Sequence, residues 1–173
     1  VIMEFILVEY MSLAAPYRVK AADKVAEILN MQDIQETLEG IYNIWLDNGA
    51  DTKFKMILLP YCVFASDTQI LNLNKQLLKW AEASRGALAA FAVSVAALNG
   101  GSVALMMVDS ISGKFPNNQV KKAAKLAFSA AAKILDLPED VLSDRIIPSL
   151  GFDRAGKKVL DFGAHTFTLS LTP

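Results

Sequence analysis

At 173 residues, 53% hydrophobic and 20% charged, the chain is long enough to bury a core as one compact domain or a short array of repeats. A formal net charge of −1 leaves no global basic field of the kind that holds nucleic acid or anionic lipid, which argues against either as a general partner. The single cysteine, Cys62, excludes an internal disulfide and a cysteine-based metal site and suits a reducing compartment, with the cytoplasm as the expected location.

The chain starts at Val1, and Glu4 and Glu9 interrupt the first apolar run, so this end reads as a cut from a longer protein, not as a signal peptide. Residues 2–13 and 16–29 form a leading helix pair, with Pro16 at a helix start. Asp33, with Glu36 three residues later, predicts a capped helix carrying Leu38, Ile41, Tyr42 and Trp45 and ending at Asn48-Gly49. Its partner runs from about residue 52 to 65, carrying Phe54, Ile57, Leu58, Tyr61 and Phe64, and Pro60 is expected to kink or shorten it. Ser66 and Gln69 have capping-box spacing and open a helix through Ile70, Leu73, Leu77 and Leu78 to about Ala83, after which Ser84 caps residues 88–98.

Residues 86–108 carry no charge and are long enough to span a bilayer. Asn99-Gly100-Gly101-Ser102 breaks them into a helix end and a fresh N-cap, so two buried central helices are predicted in place of a span. Helices over 102–112 and 119–135 follow, separated by a turn at 113–118. Pro138-Glu139-Asp140 opens a short last helix to about Ile146, and Pro148 stops it. The pattern then changes to period two. A strand over 157–162, a turn at Gly163-Ala164, and alternation of His165, Phe167, Leu169 and Leu171 with Thr166, Thr168, Ser170 and Thr172 predict an antiparallel hairpin. Two strands are marginal alone, so the hairpin is expected either to be completed by sequence beyond Pro173, as the start of a following region, or to pack on the last helices, with Leu160, Phe162, Phe167 and Leu169 capping them.

Tyr10, Trp45, Trp80 and Phe115 recur every 35 residues. Met3, Leu38, Leu73 and Val108 keep the same step, as do Ile6, Ile41 and Ile111, where Gln76 is the exception; so do Ala21, Met56, Phe91 and Leu126. Self-similarity at this period marks helical repeats, in which pairs of helices bury their apolar faces on neighbouring pairs. The fold class expected is mainly α, an α-solenoid of HEAT/armadillo-like helix pairs over residues 1–148 with a short β-hairpin over 149–173. A compact helical bundle is the rival and has the same core residues.

No catalytic, cofactor or metal constellation emerges. His165 is the sole histidine and, even with Asp161 as an orienting partner, reads as structural. Cys62 lies between Tyr61 and Val63 and reads as a buried thiol. Lys121, Lys122, Lys125 and Lys133 form a solvated helix face, Gly100-Gly101-Ser102 a helix-helix turn, and Asp33, Glu36 and Glu39 caps and surface.

Asp144-Arg145-Ile146-Ile147-Pro148, Leu150-Gly151-Phe152-Asp153, Gly156, Leu160-Asp161-Phe162-Gly163 and Phe167 resemble the bacterial molybdate metabolism regulator-like proteins, large proteins with an armadillo-type helical region. The specific match covers residues 141–172. The resemblance implies a segment of a larger regulatory protein and carries no catalytic residue onto this chain. A molybdate site calls for clustered donors at helix N-termini, and Ser66, Ser84 and Ser102 read as plain caps. The expected function is a non-enzymatic scaffold contacting another protein or another domain of the same longer chain, without small-molecule ligand, nucleic acid or membrane. The alternative is a ligand-sensing regulatory module in molybdate metabolism.

Overall fold

Helices form where apolar side chains return every three or four positions, and those returning residues become the core. The computed structural model of the chain describes residues 2–146, 157–161, 163 and 166–170. The helices are α1 (Ile2–Met11), α2 (Lys20–Ala26), α3 (Met31–Asp47), α4 (Leu58–Phe64), α5 (Asp67–Glu82), α6 (Gly86–Ala96), α7 (Ser102–Lys114), α8 (Asn118–Ile134) and α9 (Glu139–Ile146). Short 3₁₀ turns at Thr52–Ile57 and Ala97–Asn99 extend α4 and α6, and strands β1 (Lys157–Asp161) and β2 (Thr166–Ser170) close the described chain.

On α3 the buried stripe is Ile34, Leu38, Tyr42 and Trp45; on α5 it is Ile70, Leu73, Leu77 and Trp80. α6 is buried on nearly every side through Leu88, Ala89, Ala92, Val93, Val95 and Ala96, which explains why it carries no charge. α1 meets α2, α3 meets α4, α5 meets α6, and α7 meets α8. Across these pairs α4 touches α6, α6 touches α8, α5 touches α7, and α9 lies on α7 and α8. Tyr10, Trp45, Trp80 and Phe115 are all buried. The column of Ala21, Met56, Phe91 and Leu126 is not core: Ala21 and Leu126 are exposed and the other two half-buried. α2, α4, α6 and α8 differ in length, and 3₁₀ turns precede α4 and follow α6, so a fixed sequence step cannot hold their faces in phase.

The two tryptophans hold equivalent places at helix ends. The Trp45 carbonyl accepts from the Ala50 amide at 2.9 Å and the Trp80 carbonyl from the Arg85 amide at 2.7 Å, each closing a Schellman turn. The left-handed residue is Gly49 (φ 84°) in the first and Ser84 (φ 60°) in the second. Arg85 then reaches back to the turn after α3, its Nη1 donating to the Gly49 carbonyl at 2.8 Å and its Nη2 to that of Ala50. Ser84 therefore ends α5, and is not the cap of α6 that the sequence led us to expect; the N-cap of α6 is Arg85, which has no side-chain cap bond. Because a side chain is strained at positive φ and glycine is not, Ser84→Gly should raise stability by about 0.5–1 kcal/mol in urea unfolding.

Other boundaries also shift. α3 is capped by Asn30, whose side chain accepts from the Gln32 amide at 2.9 Å, leaving Asp33 inside the first turn. The expected cap at Ser102 is Gly101, with Ser102 the first helical residue. α2 starts at Lys20, beyond Pro16. Over residues 52–65 the helix is shortened at Pro60 and not kinked there: the chain breaks earlier, at Phe54, and Pro60 sits in the first turn of α4, where no intrahelical donor is needed. The capping box of Ser66 and Gln69 is present with both its bonds.

β1 and β2 pair antiparallel, Leu160 opposite Phe167 and Lys158 opposite Leu169. Phe167 and Leu169 are 55% and 45% exposed, so the expected burial of this face on the last helices is not found through them. In this register Leu160 and Phe167 are direct cross-strand neighbours, whereas Leu169 stands opposite Lys158 and Val159 opposite Thr168. Phe162 lies outside the described residues.

Candidate functional site

The segment leading into α2, through Pro16 and Arg18, and the outer face of α8 stand on either side of a groove whose volume is about 560 Å³. Its floor is built from small side chains, Ala97 after α6 and Ala123 and Ala127 on α8, which bring the backbone close to the surface. Leu98 and Leu105 form the wall. Leu126, Ile134 and Leu135 form the lip at 64%, 75% and 47% exposure. The groove exists because α8 carries two apolar stripes. Val120, Ala124, Phe128 and Ala132 face the core, whereas Ala123, Ala127, Ala130 and Ile134 run along the side of the same helix.

Arg18 guards the opposite side. Its Nε pairs with Asp23 Oδ2 at 2.8 Å, and its Nη1 donates to the Leu98 and Asn99 carbonyls at 3.2 Å each, so the entry to α2 is fastened to the end of α6. Asp23 Oδ1 is buried without a hydrogen-bond partner among the described residues. Nearby, the Tyr10 hydroxyl accepts from the Val19 amide at 3.3 Å. Burial pushes this phenol above its usual range and the Asp23 carboxylate adds to the rise, against the opposing effects of the Val19 bond and Arg18. On α8, Lys122 and Lys133 lie in the same stripe as Leu126 and are exposed. The groove's lining is apolar apart from Arg18, whose charge is paired with Asp23, and Ser94.

The residues weighed from sequence do not converge. Cys62 is fully buried, which raises its thiol far above the usual range and keeps it protonated. Lys121 is half-buried, while Lys122, Lys125 and Lys133 face solvent. Gly100, at φ 75°, turns the chain between α6 and α7. Glu36 accepts from Gln32 and Glu39 from Gln69, so both serve local structure. His165 and most of the family-like motif lie outside the described residues. Among the described residues no group of three or more His, Cys, Asp or Glu side chains is placed to hold a metal ion, and no helix is long and apolar enough to cross a membrane. The sequence reading placed Leu126 only in the 35-residue register and did not find the groove; the usable signal is that Leu126 and Ile134 fall out of phase with Val120, Ala124 and Phe128.

Over 129 residues, 75% of its length, the chain is 25% identical to the uncharacterized protein YehI of Escherichia coli (strain K12). That stretch is 11% of YehI, so the chain spans about a tenth of its relative. No family model matches the chain, and no solved structure does.

Proposed function

We propose that the chain is a non-enzymatic helical-repeat scaffold, an α-solenoid of HEAT or armadillo type, that mediates contacts with another protein or with another domain of the same longer chain in the cytoplasm. The contacts of α4 with α6, of α6 with α8 and of α5 with α7 support stacking of successive pairs. So does the contact between Trp45 and Trp80, one period apart, with ring centroids 5.9 Å from each other. The likeness of residues 141–172 to molybdate metabolism regulator-like proteins agrees with this reading, because that family has an armadillo-type region.

The observation that carries the proposal is the exposed lip of Leu126, Ile134 and Leu135 over a small-residue floor. A helix presenting leucine-sized anchors at i, i+3/i+4 and i+7 fits such a trough. The test is the double variant Leu126→Asp/Ile134→Asp. Both side chains are exposed, so stability should stay within about 0.5 kcal/mol of the parent. Purified from host cells under mild cross-linking, the parent should carry a partner segment that rebinds as a synthetic helix and fails to bind the double variant. A set of bound proteins unchanged by the double substitution contradicts the proposal.

A further inference from the structure

A second hollow, independent of the groove, opens between α3 and α5 and has a volume of about 250 Å³. Its base is a stacked pair, Tyr42 from α3 and Tyr61 from α4, with ring centroids 4.2 Å apart and planes inclined by 7°. Both tyrosines are more than nine-tenths buried, at 5% and 2% exposure. Neither phenol hydroxyl makes a hydrogen bond among the described residues, although buried tyrosines normally find a partner. The hydroxyls are not sealed inside: Asp23 Oδ1 is the buried unpartnered side-chain atom of the described residues, and these two tyrosines line the hollow.

The walls differ in charge. α5 supplies Lys75 and Lys79, one turn apart on the same face, with the Lys75 ammonium donating to Asn72 Oδ1 at 3.5 Å. α3 supplies Glu39, whose Oε2 accepts from Gln69 Nε2 at 3.1 Å, leaving the other carboxylate oxygen for a ligand donor. Two ammonium groups match the charge of about −1.5 to −2 on a phosphomonoester at neutral pH. A carboxylate and two phenols opposite them match hydroxyl groups. The volume falls below the range of about 300–1,000 Å³ usual for drug-sized ligands and exceeds what a bare tetrahedral ion needs, so the ligand is small.

We propose that this cleft binds the phosphomonoester of a small polyhydroxylated molecule. Lys75 and Lys79 hold the phosphate, Glu39 accepts from a ligand hydroxyl, and the Tyr42 and Tyr61 hydroxyls complete the ring of partners. Calorimetry with glucose 6-phosphate, inorganic phosphate and glucose tests this. Glucose 6-phosphate should bind saturably, inorganic phosphate at least about tenfold more weakly, and glucose not at all. Tyr42→Phe/Tyr61→Phe should weaken glucose 6-phosphate at least about tenfold without lowering the melting temperature, since only the hydroxyls are removed. Lys75→Gln/Lys79→Gln, on the exposed wall, should abolish binding and serves if the tyrosine variant fails to fold. No saturable heat with either phosphate compound, or binding untouched by the lysine substitutions, overturns the proposal; equal binding of inorganic phosphate overturns its polyhydroxyl part.

Discussion

Trp80→Ala should lower the unfolding free energy by about 3–5 kcal/mol, read from urea denaturation. Trp80 is 3% exposed and lies on the buried stripe of α5 with Ile70, Leu73 and Leu77. Its ring meets that of Trp45 edge-on, with planes at 71°, and Trp45 meets Tyr42 at 6.0 Å, so the substitution opens a void where two consecutive helix pairs join. The surrounding residues are held by helices on both sides and cannot close that void fully, which adds a cavity cost to the lost transfer energy. The Trp45 indole nitrogen donates to the Asp51 carbonyl at 2.9 Å and fixes its own ring independently of Trp80. Because the two rings touch, Trp45→Ala and Trp80→Ala should not be additive, with a coupling of about 0.5–1.5 kcal/mol in a double-mutant cycle. A loss below about 1 kcal/mol for Trp80→Ala would place the ring outside the core.

The second large effect is expected at Asn99. Its Nδ2 donates to the carbonyls of Cys62 at 2.8 Å and Ala65 at 3.0 Å, at the C-terminal end of α4, and its Oδ1 accepts from the Gly101 amide at 3.1 Å. Carbonyls at a helix end have no intrahelical partner, so one side chain completes α4 and starts α7 at once. Asn99→Ala removes both roles and should cost about 2–3 kcal/mol, the penalty of leaving the Ala65 carbonyl and the Gly101 amide without these partners, while the Cys62 carbonyl keeps its bond from the Ala65 amide. Asn99→Asp separates the two. The acceptor for Gly101 survives, but a carboxylate now faces carbonyl oxygens, so destabilisation at neutral pH should equal or exceed that of alanine. It should shrink below about pH 4, where the protonated acid can donate again. Asn99→Asp as stable as the parent at pH 7 would show that these carbonyls do not depend on the amide.

Trp45 and Trp80 were legible in the sequence because bulky aromatic residues at a fixed step have little choice but burial, and Ser66 was legible because Gln69 completes a reciprocal bond that few other placements satisfy. Ser84 was not. A polar residue between two helices can end the first or cap the second, and here Ala87 stands where a capping box would want an acid or amide. Asp33 and Glu36 had the right spacing, yet Asn30 caps α3 because its side chain reaches the Gln32 amide one turn earlier. Leu126 differs for another reason: Tyr10, Trp45, Trp80 and Phe115 keep both the 35-residue step and burial, whereas Ala21, Met56, Phe91 and Leu126 keep the step on helices of unequal length and are not core. The groove and the cleft between α3 and α5 both arise from residues far apart in the chain, Pro16 with Ile134 in one and Glu39 with Lys79 in the other, and no local pattern encodes either meeting.

The claim that the α8 groove receives a helix is tested most directly by a photo-crosslinking amino acid placed in turn at Ile134 and at Ile44, two comparably exposed positions at 75% and 65% on different faces. In host cells Ile134 should cross-link to one defined helical segment, of another protein or of the same longer chain, and Ile44 should not. Equal cross-linking from both positions, or none from Ile134, would contradict the account.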